Sequence, residues 1–133
     1  MLPFDTPITH TVTTRLSQAD FDQFARLSGD DNPIHVDPIF AASTVFGATV
    51  SHGMLLFSLV RGVVQQHFPN SRLRHQDLMF ANPAYADETL TIQLRSMPAT
   101  PSSLTLNTEI RKANGTLCLE GQCTLTLPTE DLA

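Results

Sequence analysis

Apolar and polar residues alternate along several segments of the chain, and this period of two predicts β-strands. Apolar residues alternate with threonines over residues 8–15, and leucines and isoleucines alternate with polar residues in three segments between residues 90 and 127. A less regular pattern over residues 73–80 predicts a further strand. The Asn114-Gly115 pair predicts a two-residue hairpin. Together these segments predict an antiparallel sheet of five strands.

A helical period replaces the alternation in the first half of the chain. A capping box at residues 17–20 predicts the start of a short helix, and Gly29 predicts its end. Asp37 followed by Pro38 predicts the N-cap and first turn of a second short helix. The run SHGMLLFSLVRGVVQQHF, residues 51–68, is apolar around most of a helix circumference. It predicts a long helix that is buried on nearly all sides.

The order of these elements predicts an α+β fold in one domain that spans residues 1–133. A strand comes first, then two short helices and the long helix, and the remaining strands complete a sheet that wraps around the long helix. A chain of 133 residues that is 41% apolar is large enough for one hydrophobic core.

Composition narrows the classes of function. The net charge is −5, and the eight basic residues form no stripe with interleaved aromatics, so no nucleic-acid partner is expected. The long apolar segment is too short to cross a bilayer, so no membrane partner is expected either. The N-terminus shows no signal-peptide pattern, which favours the cytoplasm. Cys118 and Cys123 fall on opposite faces of one predicted strand, so they are expected to stay unpaired.

The stretch SGDDNPIHVD, residues 28–37, contains the first candidate catalytic groups. Asn32 and Pro33 turn the chain between Asp30 and His35, which brings these two side chains toward one point. A carboxylate and an imidazole that converge can hold a water molecule and remove its proton. The nearby Asp37 is expected to cap the following helix instead.

The second candidate element is SHGM, Ser51 to Met54, at the start of the long helix. The first N–H groups of a helix have no helical partners and lie at the positive end of its dipole. Gly53 has no side chain to block approach, so its N–H can donate to an oxygen that becomes negative during a reaction.

Other chemistries fit the sequence less well. His35, Asp37 and His52 have the composition of a two-histidine, one-carboxylate iron site, but no strand framework surrounds them. The chain has no G-x-S-x-G elbow and no phosphate-binding glycine loop. The two cysteines are too few and too widely spaced for a zinc site. No metal is therefore expected.

The segment SGDDNPIHVDPIFAASTVFGATVSHGMLLFSLV resembles the signature region of the MaoC-like, (R)-specific enoyl-CoA hydratases. The family pattern is roughly S-x-D-x-N-P-[IL]-H-x-D, then A-x-x-x-x-F, then H-G-M-L. The matching residues are Ser28, Asp30, Asn32, Pro33, Ile34, His35, Asp37, Ala42, Phe46, His52, Gly53, Met54 and Leu55. FANPAYADETL resembles the later F-x-x-P-V-x-x-G-D-x-L, but Ala84 replaces valine and Asp87-Glu88 replaces Gly-Asp, which leaves the turn geometry there uncertain.

The resemblance implies a hotdog fold and a homodimer with acyl tunnels near the subunit interface. It implies that Asp30 and His35 form a catalytic dyad and that the Gly53 amide contacts the thioester oxygen. The neighbouring motif residues are expected to bind substrate as well; these are Asn32, Ser51, His52 and Met54. No cofactor is implied, because coenzyme A or a carrier-protein arm is part of the acyl-thioester substrate.

Arg61 is a long cation in the otherwise apolar helix, eight residues after Gly53. Either its aliphatic stem carries the guanidinium to the surface, or the side chain closes the acyl tunnel. In the second case it needs an acceptor, from an acidic residue of the dimer or from a carboxylate on the substrate. The tunnel would then favour enoyl thioesters of about four to six carbons, because about two helical turns of depth are lost. Gly62 suggests that another backbone approaches this helix closely.

Three functions remain open at this point. The first is hydration of a trans-2-enoyl-CoA to an (R)-3-hydroxyacyl-CoA, or the reverse dehydration. The second is a hotdog thioesterase, which would need a carboxylate aimed at the carbonyl carbon. The third is a non-catalytic acyl-thioester binding subunit, which has no need for both members of the dyad. The intact D-x-x-x-x-H spacing favours the first.

Overall fold

The computed structural model describes residues 7–97 and 102–128 and has the predicted α+β organisation. The elements in chain order are β1 (Thr9–Arg15), α1 (Gln18–Ser28), α2 (Pro33–Val36), α3 (Pro38–Ala42), α4 (Gly53–His67), β2 (Arg72–Gln76), β3 (Met79–Phe80), β4 (Thr89–Ser96), β5 (Ser103–Lys112) and β6 (Leu117–Thr126). One antiparallel sheet has the strand order β1-β4-β5-β6-β2, and β3 pairs with β6 beside β2.

Within residues 7–97 and 102–128, the sheet has six strands rather than the predicted five. The segment expected as one strand is divided because the chain turns at Asp77, between β2 and β3. The N–H of Asp77 donates to the carbonyl of Gln122, and the Asp77 carboxylate accepts from the N–H of the same residue. This reciprocal pair fixes the turn against β6, so β3 resumes pairing further along that strand.

The hairpin between β5 and β6 also differs from the prediction. The N–H of Gly115 donates to the carbonyl of Lys112, and the N–H of Lys112 donates to the carbonyl of Thr116. These bonds enclose three residues rather than two. Gly115 has φ of 86°, so the third residue of this loop adopts the left-handed conformation.

Helix α4 packs its apolar side against β4 and β5. Its buried residues are Leu55, Leu56, Val60, Val63 and Val64. The opposite side is open, since Met54, Ser58 and Gly62 are exposed. Burial on nearly all sides was therefore a wrong prediction for the single chain. So was a close backbone approach at Gly62, because a side-chain carbon added there would meet no described atom within 4 Å.

The caps of the short helices were predicted correctly. Ser17 and Asp20 form the capping box of α1, and Gly29 follows that helix with φ of 79°. Asp37 caps α3 by accepting from the N–H groups of its first turn. One further turn of helix, α2, was missed because it contains only four residues. The two short helices of the prediction are thus three.

Asp87 occupies the turn where the resemblance left the geometry uncertain. Its φ is 66°, so an aspartate takes the left-handed conformation at the position where the family pattern has glycine. Its N–H donates to the carbonyl of Leu16 at 2.7 Å. Cys118 and Cys123 are buried and unpaired, as predicted. No helix within the described residues is long and apolar enough to cross a membrane.

Candidate active site

The structure brings Asp30 and His35 together. A carboxylate oxygen of Asp30 lies 3.8 Å from Nε2 of His35. Gly29 ends helix α1 and turns the chain, and the side chain of Asn32 then caps α2 by accepting from the N–H of Ile34. His35 lies on that single helical turn. The local sequence therefore sets the separation of the two side chains.

One hydrogen bond selects the tautomer of the His35 ring. Its Nδ1 lies 2.8 Å from the carbonyl oxygen of Val50. A carbonyl only accepts, so Nδ1 carries the hydrogen. In the neutral ring Nε2 then has a free lone pair, and this is the nitrogen that faces Asp30. At 3.8 Å the two side chains are too far apart for a direct hydrogen bond, and one water molecule can contact both.

His52 supports both members of the pair. Its Nε2–H donates to the backbone carbonyl of Asp30 at 2.8 Å, and its ring stacks on His35 with centroids 3.9 Å apart. Phe24 covers another side of the ring at 4.8 Å. Burial lowers the pKa of His52; the hydrogen bond to the Asp30 carbonyl opposes this effect, and the neighbouring His35 adds a smaller lowering. The net shift favours the neutral ring.

Gly53 follows His52 directly and begins helix α4. Within the described chain, no group accepts a hydrogen bond from its N–H, and no side chain caps the helix. A side-chain carbon at this position would lie 3.0 Å from the ring of Phe80. The Phe80 ring would have to shift to admit a side chain here, so glycine favours its packing. Gly53 is joined directly to His52, whose ring stacks on His35 and whose Nε2–H donates to the Asp30 carbonyl.

The other predicted substrate-binding residues have varied surroundings. Ser51 is buried and donates to the carbonyl of His52, and Asn32 is occupied in capping α2. The hydrogen bonds of these two residues and of His52 stabilise the backbone around Asp30 and His35. They suit a positioning role better than direct contact with a substrate. Met54 is exposed, so it can contact a substrate. Arg61 lies two helical turns beyond Gly53 on α4.

The residues can be compared with the needs of a metal ion. The iron triad of His35, Asp37 and His52, which the sequence disfavoured, is not assembled, because the Asp37 carboxylate caps α3. Asp30 takes its place, and ligand atoms of Asp30, His35 and His52 lie within 4.8 Å of one another. The two imidazole rings are stacked with only 24° between their planes. Their lone pairs therefore run side by side rather than toward one ion, which suits water activation better than metal binding.

Three contributors to the site were missed by sequence reasoning. Phe24 shows the helical spacing of a buried residue, but nothing in the sequence indicates that it covers His52. Phe80 lies in an irregular segment, and the pattern does not place it against Gly53. The Val50 carbonyl gives no sequence signal, because every residue has one and only the fold selects it.

Comparison with known sequences gives consistent matches over most of the chain. The family described as "MaoC like domain" matches residues 2–110. An (R)-specific enoyl-CoA hydratase from Aeromonas caviae is 35% identical over 121 residues, which cover 88% of this chain and 90% of that protein. A mitochondrial 3-hydroxyacyl-[acyl-carrier-protein] dehydratase from Arabidopsis thaliana is 30% identical over 90% of this chain and 75% of its own length.

Solved structures agree with the sequence matches. The (R)-hydratase from A. caviae, described as involved in PHA biosynthesis, superposes with a TM-score of 0.87 at 34% identity, covering 91% of this chain and 95% of that one. An unliganded R-hydratase from Pseudomonas aeruginosa gives a TM-score of 0.88 at 25% identity, covering 95% and 85%. These neighbours have the hotdog fold, so the predicted architecture is confirmed.

Proposed function

The chain belongs to the MaoC-like domain family, and on that premise we propose that it is an (R)-specific enoyl-CoA hydratase. It adds water to the double bond of a trans-2-enoyl thioester and also catalyses the reverse dehydration. The observation that carries the proposal is the Asp30 carboxylate oxygen 3.8 Å from Nε2 of His35, the ring nitrogen that the hydrogen bond between Nδ1 and the Val50 carbonyl leaves free.

The Gly53 N–H binds the thioester oxygen in this proposal. Donation to that oxygen draws electron density from the C2=C3 bond and stabilises the enolate that forms as C3 is attacked. A positioned donor of this kind typically contributes about 100- to 1,000-fold in rate. The positive end of the α4 dipole acts in the same direction.

Asp30 and His35 hold the water between them. The water oxygen forms the new bond to C3, its proton passes to the pair, and a proton is delivered to C2, so that the elements of water add across the double bond. Nε2 of His35 has the free lone pair for proton removal, because Nδ1–H is engaged with Val50. No residue in this scheme requires a metal or a redox cofactor, and coenzyme A or a carrier arm enters as part of the substrate.

The protein acts as a homodimer in the cytoplasm in this proposal. The side of the sheet that carries β2 and β3 exposes Leu73, Met79 and Phe80, and a second copy can cover them. Because Phe80 also contacts Gly53, that second copy would close the same end of the site. Two buried, unpaired cysteines are compatible with a reducing compartment.

One assay tests the reaction against its alternatives. Purified protein is mixed with crotonyl-CoA, and the absorbance of the conjugated enoyl group is followed together with free thiol. Loss of absorbance without thiol release, with a product of R configuration, supports the proposal. Thiol release would indicate a thioesterase. No change with thioesters of short and medium chain length would indicate a binding subunit and exclude the proposed enzyme.

A further inference from the structure

Gly53, Phe57 and Arg61 form one row along helix α4. They are four residues apart in sequence, so they follow one another along one side of the helix. The row joins three different chemistries: a free N–H at the first residue, an aromatic ring in the middle and a guanidinium at the far end. Arg61 lies about 12 Å along the helix axis from Gly53.

Strand β6 provides a second estimate of the distance between Gly53 and Arg61. Phe80, which contacts Gly53, pairs with Leu119 on β6. Burial raises the pKa of the Cys123 thiol, and the charge of Arg61 opposes that rise, so Arg61 is within electrostatic range of Cys123. Cys123 is four residues beyond Leu119, or about 13 Å along a strand. The distance of about 12 Å along the helix and that of about 13 Å along the strand therefore agree.

The guanidinium of Arg61 is incompletely satisfied. Its Nη1 is buried without a hydrogen-bond partner, and among residues 7–97 and 102–128 no carboxylate forms an ion pair with it. The neighbouring Cys123 thiol stays neutral and is a weak acceptor. Leaving a buried, charged N–H group without an acceptor costs free energy, so an anion bound at this position would be stabilising.

We propose that Arg61 binds a carboxylate at the far end of the acyl chain, so that the enzyme acts on enoyl thioesters of dicarboxylic acids. This inference rests on the proposed function, because the thioester oxygen at Gly53 fixes where the acyl chain begins. From there the chain runs past Phe57 toward Arg61. Helical side chains lean toward the N-terminal end of their helix, so the guanidinium is expected on the Gly53 side of the Arg61 Cα, which shortens the gap that a substrate must span.

A matched pair of substrates isolates the carboxylate. 5-Carboxy-2-pentenoyl-CoA and 2-hexenoyl-CoA have acyl groups of equal length that end in a carboxylate and a methyl group. The wild-type protein should hydrate the carboxylate substrate with a kcat/KM at least about tenfold higher, the usual effect of one charge-assisted hydrogen bond. Arg61→Met keeps an unbranched apolar stem without the guanidinium and should remove this preference. Arg61→Lys keeps the charge and should retain part of it.

Binding gives a second readout that does not depend on turnover. Calorimetry compares adipoyl-CoA with hexanoyl-CoA, which have saturated acyl groups and undergo no hydration. Tighter binding of adipoyl-CoA to wild type, lost in Arg61→Met, supports the inference even if no hydration occurs. Failure to hydrate crotonyl-CoA would instead count against the proposed reaction, so the two failures are distinguishable.

Two results would overturn the role of Arg61. One is the absence of an effect of Arg61 on binding: either the wild type binds adipoyl-CoA and hexanoyl-CoA equally well, or Arg61→Met keeps the wild-type ratio of the two affinities. The other is an Arg61→Met protein that loses its dimeric mass while its acyl preference stays unchanged. That result would assign the guanidinium to a carboxylate of a second copy rather than to the substrate.

Discussion

At the residue scale, the chemistry depends on which nitrogen of His35 is free. Because the Val50 carbonyl accepts from Nδ1–H, the ring presents the lone pair of Nε2 to the space beside Asp30. His52 then restricts both partners, by stacking on the ring of His35 and by donating to the Asp30 carbonyl. The pair is held by backbone acceptors and a stacked ring, so a substrate meets a preformed arrangement.

Removal of either member of the pair should abolish most of the activity. Asp30→Asn and His35→Ala should each lower the turnover of crotonyl-CoA by at least about 100-fold, the usual contribution of a positioned acid–base group. Asp31→Asn, at an exposed neighbouring carboxylate, serves as the control and should stay near wild type. Circular dichroism checks that the variants fold. Turnover near that of the control in either variant would remove that residue from its proposed role.

The sequence predicted part of this site and missed part of it. The convergence of Asp30 and His35 follows from a local turn, so the spacing alone was informative. The position of His52 depends on contacts with residues more than twenty positions away, which no local pattern records. The preference for short acyl chains that Arg61 suggested stays a prediction, and crotonyl-CoA against octenoyl-CoA tests it.

At the element scale, the turn between β2 and β3 depends on Gly121. A side-chain carbon at this residue would fall inside the contact distance of the Asp77 backbone carbonyl. Asp77 cannot retreat easily, because its N–H and its carboxylate are both bonded to Gln122. The carbonyl of Gly121 also accepts from the Thr108 hydroxyl at 3.0 Å. The turn and the strand beneath it are therefore locked together.

Gly121→Ala should lower the free energy of unfolding by about 1–3 kcal/mol, since the added methyl group forces the β2–β3 turn to move. Gly62→Ala is the matched control, because an added carbon there meets no described atom within 4 Å. On an exposed helix position it should raise stability by about 0.5–1 kcal/mol. Urea denaturation of both variants measures the difference. Equal stabilities would show that the turn adapts without cost.

The end of α4 contacts β1 through a pair of histidines. The rings of His10 and His67 are stacked with centroids 3.6 Å apart and 16° between their planes, and Phe68 meets His10 edge-on. Burial lowers the pKa of His10, and the charge of His67 lowers it further. The folded protein therefore binds a proton at His10 less readily than the unfolded chain does.

The sign of this pKa shift gives a pH dependence. The contribution of His10 is fully present above its unfolded pKa of about 6.5, and it is lost as the pH falls from there toward the lower folded pKa. His10→Phe keeps an aromatic ring and removes the titration, so the loss of stability between about pH 7.5 and about pH 5 should become smaller. His75→Gln, at an exposed histidine of β2, is the control. Urea unfolding at both pH values measures this loss of stability. If His10→Phe loses as much stability as the wild type does, the pH dependence does not come from His10.

At the scale of the whole molecule, the fold was more predictable than its details. Alternation and helical spacing record which side of each element faces the core, so the strands and the long helix were found. The exposure of one side of α4 was not predicted, because apolar Met54 lies on that side beside small and polar residues. The left-handed conformation of Asp87 was not predicted either, because aspartate adopts it less readily than glycine does.

The single chain leaves apolar surface uncovered on one side. Leu73, Met79 and Phe80 are exposed along the β2–β3 side of the sheet, and Met54 is exposed at the nearby start of α4. Strand β2 is an edge strand, and its register shifts between Leu73 and His75. Such an irregularity hinders simple extension of the sheet, so side-chain contacts should carry much of the pairing between two copies. A two-fold arrangement that buries this side would also enclose the Gly53 end of the site.

The homodimer can be tested with one substitution in this surface and one outside it. Light scattering at micromolar concentration should give about twice the monomer mass of 14.6 kDa. Met79→Glu places a charge among the exposed apolar residues and should yield monomers with reduced hydration of crotonyl-CoA, because the Gly53 end of the site opens to water. Leu27→Glu, at an exposed leucine of α1, should leave both mass and activity unchanged. A wild-type mass near 14.6 kDa would exclude the dimer. A dimeric Met79→Glu protein would instead move the interface to another side of the molecule, with β1 as the remaining sheet edge.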